Sequence, residues 1–289
     1  MTTTMTYAPT SVRLASIGND RAAVTDLAGF AAWIKALPET RHTRELDREW
    51  CGGMTFAEAR TAIDTGDMAG VAASDRLLEQ FEKDLHPSAA WRTFSVVAGG
   101  APNVGAFLAG SPVAMRQRRR VVDAAAPLTV FVDTVSSGGI SAGDLKKRGA
   151  AILALVRALS GVRPVTVYAV AAMQQHGCAN SWIMVRLDQP LDLARAAFAL
   201  AHPAFARGLA YEAGPRLVGK EATGNLHWAF TDVAKYRRVA RDTFAGIVGA
   251  TPEDCLFLAP PHSHDASITD GAAWVKDMLA QHGGAPREE

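Results

Sequence analysis

Asp133 follows a short apolar run, LTVFV at 128–132, and precedes Ser136, Ser137, Gly138, Gly139 and Ser141. A carboxylate backed by hydroxyls suits a hard cation such as Mg2+, which takes oxygen ligands and keeps several waters. Asp133 and Ser137 are the candidate metal ligands. Ser136, Gly138 and Ser141 are the candidate lining of a binding loop. The helix expected to open at Ser141 or Ala142 adds a positive dipole that favours an anion beside the ion. The same residue types also close turns, their side-chain oxygens accepting from loose backbone N–H groups, so a purely structural loop stands beside the ligand-binding reading.

A second group, His262, His264 and Asp265 in PPHSHD, lies just past the apolar run 255–258. Two imidazoles and a carboxylate can ligate a transition metal or act as general base and orienter. Joined to Asp133 they would make a metal-assisted hydrolase, provided the two loops lie within about 10 Å of each other. The alternative is a polar loop in which Asp265 or Ser267 caps the final helix. A third group is MRQRRR at 115–120, the only dense basic cluster. The forks of Arg116, Arg118, Arg119 and Arg120 match phosphates, which points to nucleic acid; charges of this kind also guard exposed strand edges. No aromatic residue is interleaved with the cluster to stack single-stranded bases. Cys178 stands near Gln174, Gln175 and His176, but adjacency in sequence does not supply a nucleophile with its base. GxGxxG, Walker, GxSxG, HExxH and EF-hand patterns are absent.

These residues need elements to hold them. Residues 25–37 carry an apolar stripe at helical spacing behind Thr25, with Pro38 as the stop. Thr55 and Glu58 form a capping-box pattern before a helix that Gly66 closes, and 68–85 predicts a third helix. Beyond these, strands are expected at 93–98, 128–132, 165–171, 181–187 and 255–258. Helices are expected at 103–110, 141–159, 191–201, 232–248 and 268–281. In the 141–159 helix Leu145, Ile152, Leu155, Val156 and Leu159 make the apolar face, and Lys146, Lys147 and Arg148 the early solvent face. Two buried-type strands joined by such a helix form a βαβ unit with parallel strands. The expectation is α/β, a mainly parallel sheet sandwiched by helices over 90–289, with a helical N-terminal section, 1–89, packed on it.

Composition limits the remaining classes. The 289 residues contain 30 Lys+Arg against 29 Asp+Glu, a net charge of +1, so the surface as a whole is no polyanion-binding field. Hydrophobic residues make up 48% and charged residues 20%, as in soluble globular proteins, and the length supports a core without staples. Cys51, Cys178 and Cys255 lack zinc or disulfide spacing and suit a reducing compartment. The Thr-rich start lacks the pattern of a signal peptide. The longest apolar run, 149–159, is interrupted by Arg157 and is about half the ~20 residues that span a bilayer. A cytoplasmic protein without a membrane partner is expected.

The segment 128–171 resembles the von Willebrand factor A-type fold. There a strand ends in D-x-S-x-S, whose aspartate and serines hold a divalent ion completed by a partner's carboxylate. This chain reads D-T-V-S-S: Asp133 and Ser137 match the first and last positions, Val135 occupies the middle one, and Ser136 falls out of register. The stretches WCGGMTFAEARTAIDTGD, WRTFSVVAGGAPNVGAFLAGSPVAMRQ and PLTVFVDTVSSGGIS resemble an uncharacterised family of phage and prophage-encoded proteins. Its G-x-P-x-x-M turn is matched by Gly110, Pro112 and Met115. The resemblance implies a phage-linked cytoplasmic protein working beside an AAA+ ATPase, and the residues suit a non-enzymatic module of phage type whose strand-end loops bind a protein partner with Mg2+. The alternatives from the residues are the metal-assisted hydrolase and a nucleic-acid-associated protein.

Overall fold

A computed structural model describes residues 12–17, 20–38, 43, 45–81, 89–122, 126–175, 180–218, 226–228, 233–262 and 264–282. In chain order, β1 (Arg13–Ile17) and β2 (Asp20–Asp26) lead into α1 (Leu27–Ala36), α2 (Phe56–Thr65) and α3 (Met68–Phe81). A separate unit follows, made of β3 (Ala89–Val96), β4 (Ala101–Pro102), α4 (Val104–Leu108) and β5 (Met115–Val122). Next come β6 (Leu128–Asp133), α5 (Ala142–Ser160), β7 (Val165–Gln175), β8 (Asn180–Arg186) and α6 (Leu193–Ala201). A π-helical segment (Ala204–Ala210) runs through α7 (Tyr211–Ala213) into a 3-10 turn (Gly214–Val218). The chain then forms β9 (Leu226–Trp228), α8 (Val233–Val248), β10 (Cys255–Leu258), α9 (Ala266–Thr269) and α10 (Gly271–His282).

The fold is α/β, as the alternation of elements predicts. A mixed central sheet has the order β1-β2-β8-β7-β6-β10, with β9 also on β7, and helices flank it. β6 pairs in parallel with β7 and β10, and β2 in parallel with β8; the β1–β2, β7–β8 and β7–β9 ladders are antiparallel. β6 lies inside the sheet and is apolar on both faces, the pattern of a strand covered on each side. Val130 and Val132 enter the cluster with α1, α5 and α6, and Phe131 enters the opposite one with Trp182 and Phe244.

The N-terminal section departs from the expectation of helices alone. β1 and β2 are strands, and β2 joins the main sheet through β8. The sequence RAAVTD gives little warning, because alanine has low β-propensity, and pairing with a neighbouring strand decides its conformation. Phe30, Trp33, Ile34 and Ile63 share one hydrophobic cluster with α5 and the central strands, so this section is continuous with the α/β core. Asp26, not Thr25, caps α1, accepting from Gly29 N at 2.7 Å. Thr55 and Glu58 form the expected capping box. The helix expected over 268–281 is broken at Asp270, whose carboxylate accepts from Ala273 N at 3.1 Å.

β3, β5 and β4 form their own antiparallel sheet with β5 in the middle. Among its residues with described side chains, none enters a hydrophobic cluster of the body. Among the described residues no helix is long and apolar enough to cross a membrane.

Candidate functional site

β6 and its parallel neighbour β10 end at the same sheet edge, with Val132 opposite Leu258. The two candidate loops therefore start side by side. Arg148 of α5 ties them together: Nη1 donates to the Asp133 carbonyl at 3.2 Å and Nη2 to the Ala259 carbonyl at 2.7 Å. Burial pushes its guanidinium down to about 10, opposed by the charges of Asp265 and Asp133. It remains a cation at neutral pH. Arg148 thus corrects the expected solvent face of α5. It stands three residues after Leu145 and four before Ile152, which places it within the apolar stripe.

Asp133 is fully buried, and its Oδ1 accepts from Val135 N at 3.0 Å. The acid expected on the ligand-facing rim is turned inward, toward a backbone amide and the field of Arg148. The cause is dielectric: a carboxylate inside the protein needs a countercharge and donors, and a built-in guanidinium provides the first. Ser137 is exposed, its Oγ accepting from Gly139 N at 3.3 Å in a local turn. Asp133 and Ser137 therefore form no open oxygen cradle for Mg2+, and Val135 offers no ligand in the middle position.

The other candidates separate. Ser141 caps α5, its Oγ accepting from Asp144 N at 3.0 Å and donating to Asp144 Oδ2 at 2.8 Å. Asp265 caps α9, its Oδ1 accepting from Ser267 N at 2.9 Å. His262 and His264 are exposed, while Asp265 lies near enough to Arg148, as Asp133 does, for its charge to act on that guanidinium. Among the described residues no three His, Cys, Asp or Glu side chains converge to hold a metal ion. Cys178 and His176 lie outside the described residues.

The two remaining loop candidates, Ser136 and Gly138, lead to a residue whose role the sequence did not signal. Arg207, from the π-helical segment, is 4% exposed and gathers both sides of a cleft. Its Nη2 donates to Ser136 Oγ at 3.3 Å, to the Ser137 carbonyl at 3.2 Å and to the Ile140 carbonyl at 2.6 Å. Nη1 donates to the Trp50 carbonyl at 3.1 Å, and the guanidinium lies 5.1 Å from the centroid of the Trp50 ring. A lone arginine in the small-residue run AFARGLA is the one available clue, since a buried cation must find acceptors.

The cleft has a volume of about 880 Å³, within the range of ligand pockets. One wall is the 47–53 loop, the other runs from Gly138 through the first turn of α5. Lys146 Nζ donates to the Gly52 carbonyl at 2.9 Å, and Arg48 Nε to the Gly53 carbonyl at 2.5 Å. Gly52 has φ +72°, and a Cβ there would meet Pro203 and Lys146 at 3.1–3.2 Å, so both conformation and space require glycine. Arg48, Lys146 and Arg207 line the cleft with Asp47 and Glu49, Arg48 is also ion-paired with Glu58 at 3.1 Å, and the first-turn N–H groups of Ala142 and Gly143 have no intrahelical acceptor. With the helix dipole, the balance favours an anionic group.

Two titratable groups lie close by without lining the cleft. Burial pushes the Cys51 thiol up to about 12, leaving it protonated and unreactive. Burial, with Lys146 adding, pushes His202 down to about 4, and its Nδ1 accepts from Ala204 N at 3.2 Å. His202 is therefore a neutral imidazole protonated on Nε2.

The basic cluster falls on β5. Cross-strand pairing sets Arg116 opposite Ser95, Arg118 opposite Thr93 and Arg120 opposite Trp91, all on one face, with Arg119 opposite Arg92 on the other. The sheet thus brings an aromatic residue beside the cluster that the linear sequence does not.

No curated protein and no solved structure matches the chain. Residues 14–239 match the family model DUF7192, a domain of unknown function, and the chain belongs to that family.

Proposed function

We propose that this protein is a non-enzymatic interaction module that receives an acidic group of a protein partner in the cleft between the 47–53 loop and the N-terminus of α5. The observation that carries the reading is the cleft itself, at the carboxyl end of β6, with Arg48, Lys146, Arg207 and the first turn of α5 around it. Ligands of parallel sheets bind beyond the carboxyl ends of the strands, and an acidic side chain or C-terminal carboxylate finds complementary charge here. Trp50 supplies an apolar surface beside the cations, a combination common at the energetic centres of interfaces. The strand, loop, helix and strand from β6 to β7 support the A-type resemblance. The partner's carboxylate meets protein cations here, without a bound ion.

Gly138 provides the test. A Cβ there would meet nothing within 4 Å, so Gly138→Glu adds a repelling side chain at the cleft without crowding the fold. Capture of partners by the full chain should lose its specific protein with Gly138→Glu, and again with Lys146→Glu, while the melting temperature of the Gly138 variant stays at the wild-type value. An identical set of captured proteins for all three chains would overturn the reading.

A further inference from the structure

The unit 89–122 carries five arginines, Arg92, Arg116, Arg118, Arg119 and Arg120, and no lysine or acidic residue, in a chain whose net charge is +1. The positive charge is concentrated in one small sheet. Its geometry is that of a ribbon: β3 and β5 pair from Ala89 opposite Val122 to Val96 opposite Met115, and the 97–114 segment closes the end away from the chain's entry and exit. Gly99 closes the turn, since a Cβ there would meet the Arg116 carbonyl at 2.7 Å. The far end is apolar. Val97 is 74% exposed, Val104 62%, Phe107 70% and Leu108 78%, with Val113 beside them. Single exposed apolar residues such as Leu14 and Met68 are ordinary, but five within 97–113 mark a contact surface.

The faces differ as well. Arg116, Arg118 and Arg120 share theirs with Ser95, Thr93 and Trp91, and the described members Thr93, Ser95 and Arg116 are exposed. The opposite face carries Arg92 and Arg119 together with Val96, Met115 and Gln117, and the last three are half-buried. Arginine forks and hydroxyls spaced by two residues on an open face match a row of phosphates. We infer that this ribbon binds double-helical DNA: the Arg116–Arg118–Arg120 face lies on the phosphates, and the apolar tip wedges between base steps from the minor groove. Strand ribbons enter DNA grooves, and apolar wedges kink the duplex and widen the contact. A single-strand site would need a series of stacking aromatics, and this face has one, Trp91.

The test uses the full chain and a fluorescently labelled mixed-sequence DNA duplex of about 30 base pairs, titrated across a range of KCl concentrations. Binding should weaken linearly in log–log form with salt. Replacing Arg116, Arg118 and Arg120 by alanine together should flatten that slope by about 2.7, at about 0.9 per lost phosphate contact, and weaken binding roughly 100-fold near 0.1 M salt. Should the triple variant fail to fold, Arg116→Ala alone carries the test, with a slope change of about 0.9. Replacing Phe107 and Leu108 by alanine should abolish the bend, read as energy transfer between the duplex ends, and leave the salt slope intact. The inference is overturned by no binding at low salt, by slopes indifferent to the arginines, or by equal or tighter binding to single-stranded DNA or to vesicles of anionic lipid.

Discussion

β5 and β6 are consecutive strands with opposite environments. β6 is covered on both faces, and the charge at its end, Asp133, is wholly buried beside Arg148. β5 carries the chain's densest charge, on a ribbon whose described side chains enter no hydrophobic cluster. In the body, charged side chains hold strand ends and loops in place. Arg148 binds the carbonyls that follow β6 and β10, and Arg207 binds four acceptors around the cleft. On the ribbon, Arg116 is exposed to solvent, and the cluster to which it belongs is the one assigned above to a partner. The comparison predicts that mutations in the body act through stability and mutations in the ribbon through binding.

The largest expected effect is at Arg148. Arg148→Met keeps most of the volume and removes the cation between Asp133 and Asp265. It should cost about 3–5 kcal/mol in urea unfolding, because two strand-end carbonyls lose a donor and a buried carboxylate its countercharge. A loss below about 1 kcal/mol would show that the rim does not depend on this buried cation.

The second effect is a pH dependence located in the body. The folded pKa of His202, about 4, lies below the ordinary value of 6.5. Between those values the unfolded chain binds more protons than the folded one, so stability is fully present above pH 6.5 and falls as pH drops toward 4. The swing is on the order of 3 kcal/mol. His202→Asn, which keeps an acceptor for Ala204 N, should flatten that part of the stability–pH curve. An unchanged slope would assign the dependence to other groups.

A pair of glycines extends the comparison at a smaller scale. A Cβ on Gly149 would lie 2.0 Å from the Ala201 Cα, whereas one on Gly100 in the ribbon would meet nothing within 4 Å. Gly149→Ala should cost about 1–3 kcal/mol through overpacking, and Gly100→Ala should stay within about 0.5 kcal/mol by the same denaturation measurement. Equal effects would mean that α5 and α6 can separate without cost.

The strands and helices of the α/β core were readable where their apolar runs were long and capped. β6, β10 and the Thr55 capping box fall where the sequence places them. Asp133 was correctly placed at a strand end, but its orientation was not legible, because a D-x-x-S-S loop serves a metal and a backbone amide with the same atoms. Arg148 was legible in principle, since its spacing from Leu145 and Ile152 lies within the apolar stripe, but charge outweighed period in assigning its face. β1 and β2 were hidden by alanine. Arg207 and the cleft depend on segments far apart in sequence, Trp50 against Ile140, and no local pattern encodes that meeting. The short helix at 103–110 was expected, but helical apolar spacing reads alike on a core face and on a docking face. Only the fold shows that α4 buries none of its own side chains.

That last ambiguity sets the smallest stability effect and the sharpest discrimination. Replacing Phe107 and Leu108 together by serine removes two large apolar side chains, which in a core would cost several kcal/mol through lost transfer energy and cavities. At 70% and 78% exposure these residues have given up little contact with water, so the native state loses almost nothing that the unfolded chain did not already lack. Stability in urea should therefore change by no more than about 0.5 kcal/mol, the range of ordinary surface positions. Phe131→Ser, buried beneath Phe244 on the opposite side of the comparison, should cost more than 3 kcal/mol in the same assay. If the double variant were as damaging as the Phe131 variant, the tip would be a packed part of the fold, and the division of labour between body and ribbon would collapse. If it is silent in stability and measurably more soluble than wild type, the apolar tip is a surface kept exposed against the interest of the isolated chain, as a docking surface must be.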